Sequence, residues 1–207
     1  MSRKRAHASL PSPTAAILSP VSIRQEPSLP DLIVIYGPPL AGKSTVAWEL
    51  ARSLDGKTAV VSTDHLLGGS IAVPGPDPLA ELEMAHTQLR LFVANYLKNR
   101  YNVVAEGPFF FERDGVLHSF EAEIDQLIAL MRNLARRSLI VRLDVDDDAL
   151  SKRAQAATRE SEIDAARRIR TAARGRYGER FRSFDSGAMS PQEIAIAVRG
   201  ALTQALG

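Results

Sequence analysis

The sequence predicts an α/β protein in which helices cover both faces of a parallel sheet. Short apolar strand candidates alternate with longer stretches of helical periodicity from Leu32 onward. This alternation is typical of parallel sheets, because each crossover helix packs back onto a face of the sheet. The length of 207 residues suits one domain, and a content of 45% hydrophobic and 24% charged residues is ordinary for a globular protein.

The individual elements follow from apolar runs and their spacing. Strands are predicted at residues 32–36, 58–62, 102–105 and 138–145. Helices are predicted at residues 43–54, 79–99, 117–136 and 147–158. A last helix should begin after Ser190, because a capping Ser, a Pro at the first helical position and Glu193 at the third form a capping box.

The composition divides the chain into two regions. Residues 1–30 are rich in Ser and Pro and lack apolar periodicity, so we expect a disordered tail. No compact apolar segment of roughly 7–15 residues follows the basic start, which speaks against a secretory signal. Residues 31–207 are expected to form the folded domain.

Charge and cysteine content narrow the class of protein. The net charge of +2 is too small to indicate binding to nucleic acid or to a membrane surface. No apolar run approaches the roughly 18 residues that a membrane helix needs. The sequence has no cysteine, which excludes disulfides, thiolate zinc sites and cysteine nucleophiles and fits a cytoplasmic location.

A phosphate-binding loop is predicted between the first strand and the first helix, where Gly37–Ser44 has the spacing G-x-x-x-x-G-K-S. The glycines permit a tight turn, and the loop amides and the helix N-terminus point at negative oxygens. Lys43 adds a charge for the β- and γ-phosphates, and Ser44 offers a hydroxyl to Mg²⁺. The predicted nucleotide-binding residues are Gly37, Pro38, Pro39, Leu40, Ala41, Gly42, Lys43, Ser44 and Thr45.

Asp64 follows the second predicted strand, which places a carboxylate at the same sheet edge as the loop. An enzyme that phosphorylates a hydroxyl needs a group that orients it and takes its proton. Asp64 is the candidate for this base. The alternatives are that Asp64 caps the following turn, or that the adjacent His65 is the base.

The loop Gly37–Ser44, followed by a second strand ending in Ser62-Thr63-Asp64, resembles the P-loop kinases. These include chloramphenicol phosphotransferase, gluconate and shikimate kinases, polynucleotide kinases and zeta toxins. The N/T-K-x-D guanine motif of GTPases is not found in the sequence. The resemblance implies a P-loop NTPase fold with a five-stranded parallel sheet and a small helical lid. It also implies ATP and Mg²⁺ as cofactors and supports Asp64 as a catalytic base.

The same resemblance assigns roles at the next strand ends. Glu106-Gly107 matches the family's acidic residue before a glycine, which holds Mg²⁺ through water, so Ser44 and Glu106 are the expected metal residues. A turn carboxylate is the alternative for Glu106. The run Phe109–Phe111 could line an acceptor pocket or pack in the core.

Arginines follow the fourth strand, where small P-loop kinases similarly carry arginines on a mobile lid. Arg153 and Arg159 are the first candidates for stabilising the charge of the transferred phosphate. Further arginines could act there or be solvated helix surface: Arg167, Arg168, Arg170 and Arg174. The segment Asp185-Ser186-Gly187 resembles the family's closing motif and would lie near the adenine after a short fifth strand.

Taken as one pattern, these residues predict an ATP- and Mg²⁺-dependent kinase that acts on a hydroxyl of a small molecule. Residues 66–78 have the glycines and prolines of a loop on the acceptor side. They carry a single charge, Asp77, and no Lys or Arg, which argues against a strongly anionic acceptor. One alternative is a nucleotide or nucleic-acid end kinase. Another is a regulatory protein that binds ATP without catalysis, although such a protein has no need for Asp64.

Overall fold

Five parallel strands form the centre of the computed structural model, which describes residues 29–172 and 181–204. They are β1 (Asp31–Tyr36), β2 (Thr58–Ser62), β3 (Asn102–Glu106), β6 (Arg137–Asp144) and β7 (Phe181–Asp185). Their order across the sheet is β2-β3-β1-β6-β7, and every neighbouring pair is parallel. The predicted five-stranded parallel sheet is therefore confirmed, including the short fifth strand.

Helices connect and cover these strands. They are α1 (Lys43–Ser53), α2 (Thr63–Ser70), α3 (Pro78–Lys98), α4 (Glu121–Leu134), α5 (Asp147–Ala157), α6 (Ile163–Ala172) and α7 (Pro191–Gln204). A 3-10 turn at Glu160–Glu162 precedes α6. A small antiparallel hairpin of β4 (Phe110–Arg113) and β5 (Val116–Ser119) lies outside the main sheet.

Strand β1 is buried on both faces, and its successive side chains pack alternately into two cores. Ile33 and Ile35 pack in a core with α1 and α7, whereas Leu32, Val34 and Tyr36 pack in a second core with α3 and α4. All five side chains are essentially inaccessible to solvent. This burial on both faces is what the unbroken apolar run indicated, since a parallel sheet covered on both sides has no solvent-facing positions.

Three segments differ from the sequence prediction, and one of them is α6, for which no helix was predicted. The predicted helix 117–136 is wrong at its start, because Val116–Ser119 is strand β5 and the helix begins only at Glu121. Asp114 and Gly115 have φ angles of 51° and 78°, the conformation of a tight hairpin turn. The segment 66–78, expected as a loop, begins inside helix α2.

The ends of two helices are capped by their own sequences. The amide of Ser190 donates to Glu193 at 2.7 Å and the amide of Glu193 donates to Ser190 Oγ at 3.2 Å, which confirms the predicted capping box. Asp77 caps α3 by accepting from the amides of Leu79 and Ala80.

Parts of the predicted tail, residues 1–28, lie outside the described residues, and so does Arg174, so the tail's disorder stays a prediction. Across residues 29–172 and 181–204, the helices are too short or too polar to cross a membrane.

Ile33→Ala should lower the free energy of unfolding by about 2–5 kcal/mol, because it opens a cavity in a fully buried core position. The matched control is Ile196→Ala on α7, where the side chain is 69% exposed and the expected change is within about 0.5 kcal/mol. Urea unfolding of both variants measures the difference. Equal losses would contradict the assignment of β1 to the centre of the core.

Candidate nucleotide and acceptor site

The predicted phosphate loop connects β1 to α1 at the carboxyl edge of the sheet. Its backbone takes left-handed φ angles at Leu40 and Gly42, 63° and 84°, which curl the chain into a tight turn. Helix α1 begins after Gly42 with neither a side-chain cap nor an acidic residue in its first turn. The first amides of α1 are therefore available to donate to an anion.

Gly37 is required where β1 enters the loop. Its φ is 152°, and a Cβ built on it would lie 2.3 Å from the carbonyl oxygen of Leu143 in β6. Any side chain at this position would collide with backbone that cannot move without disturbing the sheet. The absence of a side chain thus lets the loop lie directly against β6.

Lys43 is buried at the base of this loop. Its Nζ donates to the carbonyl oxygens of Gly37 and Pro38 at 3.3 and 3.1 Å. Burial lowers the pKa of Lys43, and the carboxylates of Glu106 and then Asp64 act in the opposite direction. The ammonium group therefore lies in the electric field of both carboxylates that the sequence singled out.

Glu106 ends β3 and is fully buried beside the loop. Ser44 Oγ donates to Glu106 Oε1 at 3.1 Å, whereas Glu106 Oε2 has no hydrogen-bond partner among the described residues. A buried carboxylate oxygen is costly to leave without a partner. The orphaned oxygen beside a hydroxyl fits a hydrated Mg²⁺ ion, whose preferred ligands are oxygens.

Within the described structure, two neighbouring hydroxyl groups are also buried without a hydrogen-bond partner, and the sequence did not indicate them as site residues. Ser62 lies opposite Glu106 in the β2–β3 register, and Thr63 follows it. Both hydroxyl oxygens are buried without a partner in the described part of the chain. Three partnerless oxygens at one sheet edge indicate a polar site that water, a metal ion or a substrate would satisfy.

Asp64 lies in the first turn of α2, exposed at the wall of a cavity of about 380 Å³ that we call the acceptor cavity. The cavity is lined by Asp64, Leu67, Gly68, Ile71, Pro74, Pro78, Glu81, Leu82, Pro108 and Phe111. Of the run Phe109–Phe111, for which a pocket or a core position was expected, Phe111 lines this cavity. Phe109 and Phe110 are buried in the core. His65 is exposed next to Asp64 and does not line the cavity.

The two candidate arginines occupy different surroundings. Arg153 on α5 donates to Leu40 O and to Ser186 Oγ, each at 3.0 Å, and also to the carbonyl of Ser186. Arg159 follows α5 after Thr158, whose φ of 54° ends that helix, and pairs with Glu162 through two hydrogen bonds of 2.5 Å.

Charge interactions place Arg159 near the phosphate loop. The pKa of Arg159 is raised chiefly by its hydrogen bonds to Glu162, with a smaller contribution from Asp64. Arg159 in turn lowers the pKa of Lys43, although less than burial does. Lys43, Asp64 and Arg159 therefore act on one another electrostatically.

The remaining described arginines of this region pair with acidic or carbonyl groups. Arg167 lies 3.5 Å from Asp147 and 3.3 Å from Asp164, and Arg170 lies 3.0 Å from Asp147. Arg168 forms a bidentate ion pair with Glu112 on β4. These pairs connect α6 to α5 and to the hairpin.

A second cavity, of about 240 Å³, opens on the other side of the loop from α2. Gly42 and Thr45 form one wall, and Arg153, Ser186 and Met189 line it with neighbouring residues of α7. Ser186 follows β7 and is fixed by two hydrogen bonds of 2.8 Å to the carbonyl of Asp144, from its amide and its hydroxyl. Ser186 of the predicted closing motif therefore lines this cavity, and its contact with adenine stays a prediction.

The sheet order and the loop after β1 define a P-loop, kinase-like fold. Residues 32–182 match the family described as AAA domain, and because this span covers most of the sequence, the chain belongs to that family. No curated protein matches the chain in sequence.

Solved structures of kinases share this fold at low sequence identity. A gluconokinase from Sinorhizobium meliloti is 17% identical with a TM-score of 0.55, and the match covers 86% of this chain and 94% of that one. A sugar kinase from Janibacter sp. HTCC2649 is 14% identical with a TM-score of 0.55, covering 86% and 96%. A shikimate kinase from Acinetobacter baumannii, in complex with shikimate, is 15% identical with a TM-score of 0.53, covering 86% and 95%.

Gly37→Ala should strongly destabilise the loop and the protein, because the new methyl group would overlap the Leu143 carbonyl. We expect a loss of at least about 3 kcal/mol in the free energy of unfolding. Gly200→Ala on α7 is the matched control, since its Cβ meets nothing within 4 Å and Ala favours a helix by about 0.5–1 kcal/mol. Thermal and urea unfolding measure both, and a Gly37→Ala protein of unchanged stability would contradict the close approach to β6.

Proposed function

We propose that the protein is a kinase that transfers the γ-phosphate of ATP to a hydroxyl group of a small molecule, with Mg²⁺ as cofactor and in the cytoplasm. The observation that carries this proposal is the position of Asp64. Its carboxylate lines a cavity sized for one small molecule and acts electrostatically on Lys43 of the phosphate loop. A protein that only bound ATP would need neither the carboxylate nor the cavity.

Nucleotide binding is assigned to the loop Gly37–Ser44 and to the start of α1. The amides there would surround the phosphates, and Lys43 would exchange its present contacts with Gly37 and Pro38 for phosphate oxygens. The base would enter the cavity beside Thr45 and Ser186. The hydrogen bonds of Arg153 to Leu40 and Ser186 favour a role for this arginine on the nucleotide side.

Ser44 and Glu106 would hold the metal ion, Ser44 through its hydroxyl and Glu106 through water. The hydrogen bond between them and the partnerless Glu106 Oε2 support this pair. When bound, Mg²⁺ neutralises charge on the phosphate oxygens.

The transfer itself requires little covalent chemistry from the protein. The acceptor oxygen forms a bond to the γ-phosphorus, the bond from that phosphorus to the β,γ-bridging oxygen breaks, and its electron pair leaves with ADP. Asp64 orients the acceptor hydroxyl and receives its proton. Arg159 would donate to the transferred phosphate, whose charge spreads over its oxygens.

Lys43→Ala should weaken ATP binding by about ten- to hundredfold, since a hydrogen bond to a charged group contributes about 1.5–3 kcal/mol. It should also abolish phosphate transfer. The control is Lys98→Ala, which removes an exposed lysine at the end of α3. Calorimetric titration with ATP and Mg²⁺ measures the affinities, and a Lys43→Ala protein that binds ATP like the control would contradict the assignment of the loop.

Asp64→Asn should reduce acceptor-dependent kcat by roughly 10²–10⁴-fold, because the amide keeps the size of Asp but cannot take a proton. ATP affinity and thermal stability should be nearly unchanged, because Asp64 is exposed and lies inside the first turn of α2, whose N-cap residue is Ser62. Asp125→Asn on the exposed surface of α4 is the matched control. A variant with full turnover would remove Asp64 as the base and leave His65 or Glu106 to be tested.

A further inference from the structure

The chemistry of the acceptor cavity is unusual for a site that receives a polar metabolite. Eight of its ten lining residues are apolar or glycine, and among them Leu82 is buried. The other two, Asp64 and Glu81, are both carboxylates. Among the described residues, no Lys or Arg lines this cavity.

Two arginines on neighbouring elements, Arg113 on β4 and Arg168 on α6, have carboxylate partners outside the cavity wall. Arg113 at the end of β4 lies 3.5 Å from Asp77 and 3.6 Å from Asp114. Arg168 is paired with Glu112 in the same strand. The charges of these two arginines are therefore balanced locally, and the cations that act on Asp64, which are Lys43 and Arg159, lie outside the cavity lining.

Glu81 is held in the cavity wall by the loop that precedes α3. Its Oε1 accepts from the amide of Gly75, and a Cβ at Gly75 would lie 3.2 Å from that oxygen, so the two segments are in close contact. In the part of the chain that the structure describes, Oε2 has no protein donor. This second oxygen can accept a hydrogen bond from a bound molecule.

We propose that the acceptor is an alcohol with an apolar body and an ammonium or hydrogen-bond-donating group, and that Glu81 determines this specificity. The inference rests on the proposed kinase function, since it names the substrate class of the same site. The body of the molecule packs against the apolar wall. Asp64 accepts a hydrogen bond from its hydroxyl, and Glu81 accepts one from its ammonium or other donor group. An anionic hydroxy acid is disfavoured, because both charged groups in the wall would repel its carboxylate.

A matched series of three alcohols with the same phenylpropyl frame tests the charge preference. The probes are phenylalaninol, which is cationic, N-acetylphenylalaninol, which is neutral, and phenyllactate, which is anionic. Saturation-transfer NMR titrations on the full-length protein, without nucleotide, should give the tightest binding for phenylalaninol and the weakest for phenyllactate. We expect steps of about three- to tenfold for a partly buried charge.

Glu81→Gln keeps the acceptor oxygen for the Gly75 amide but removes the charge. It should reduce the preference for phenylalaninol over the neutral probe by about three- to tenfold, with an unchanged thermal melt. Glu83→Gln, an exposed glutamate two positions along α3, is the control and should leave the preference unchanged. A Glu81→Gln protein that discriminates like the wild type would overturn the role of Glu81.

The binding series separates this inference from the kinase proposal. Phenyllactate binding as tightly as phenylalaninol would overturn the proposed substrate class, and so would a failure of all three probes to bind at millimolar concentration. Binding in the expected order supports it, whether or not phosphate is transferred. Phosphate transfer to the bound alcohols, measured separately with ATP and Mg²⁺, tests the kinase proposal alone.

Discussion

The close approach of Gly37 to the Leu143 carbonyl determines where the phosphate loop lies relative to the sheet. Because the loop lies against β6 without a side chain between them, the start of α1 and the base of the loop keep a set distance from the sheet. The two carboxylates come from other elements. Glu106 is the last residue of β3, and Asp64 is the second residue of α2, which follows β2 directly. Parallel strands bring these ends to one edge, so a loop anchored to that edge meets all of them.

The site also concentrates buried polar groups that the core does not satisfy. Lys43 and Glu106 are both buried, and the hydroxyls of Ser62 and Thr63 lie beside them without partners among the described residues. Such groups cost stability unless something binds them. Four of these groups gather at one edge of the sheet, whereas the side chains of β1 itself pack in two apolar clusters. The core has an exception in His86 of α3, whose ring nitrogens are buried beside Phe109 and Phe120 without a partner among the described residues. The concentration of such groups at the loop edge is what distinguishes the candidate site from the core.

The sequence predicted those parts of the fold and site that depend on local pattern. The apolar run of β1, the glycine spacing of the loop and the capping box at Ser190 are each encoded in a few adjacent residues. The hairpin turn at Asp114-Gly115 is equally local, but the helical periodicity that begins at residue 117 masks it. The roles of Asp64, Glu106 and the arginines remain predictions, although the structure brings Lys43, Asp64, Glu106 and Arg159 into one neighbourhood.

Other features could not be predicted because they depend on packing between distant segments. Glu81 reaches the wall that contains Asp64 only because α3 packs against α2. The partnerless hydroxyls of Ser62 and Thr63 become significant only when the register places them beside Glu106 and Gly107. Similarly, nothing in the spacing of Arg153 and Arg159 indicated that the first would bond to Leu40 and Ser186 and the second to Glu162.

The left-handed residue between those two arginines has a consequence for motion. Arg153 ties α5 to the loop and to the segment after β7, so this part is fixed relative to the sheet. Thr158 ends α5 with φ at 54°, and Arg159 with its 3-10 turn follows directly. A change of backbone torsion at Thr158 would therefore move Arg159 relative to Asp64, with which it interacts electrostatically, while Arg153 kept its hydrogen bonds to Leu40 and Ser186. Thr158 thus separates an arginine that is tied to the loop from one whose position depends on the backbone of a single residue.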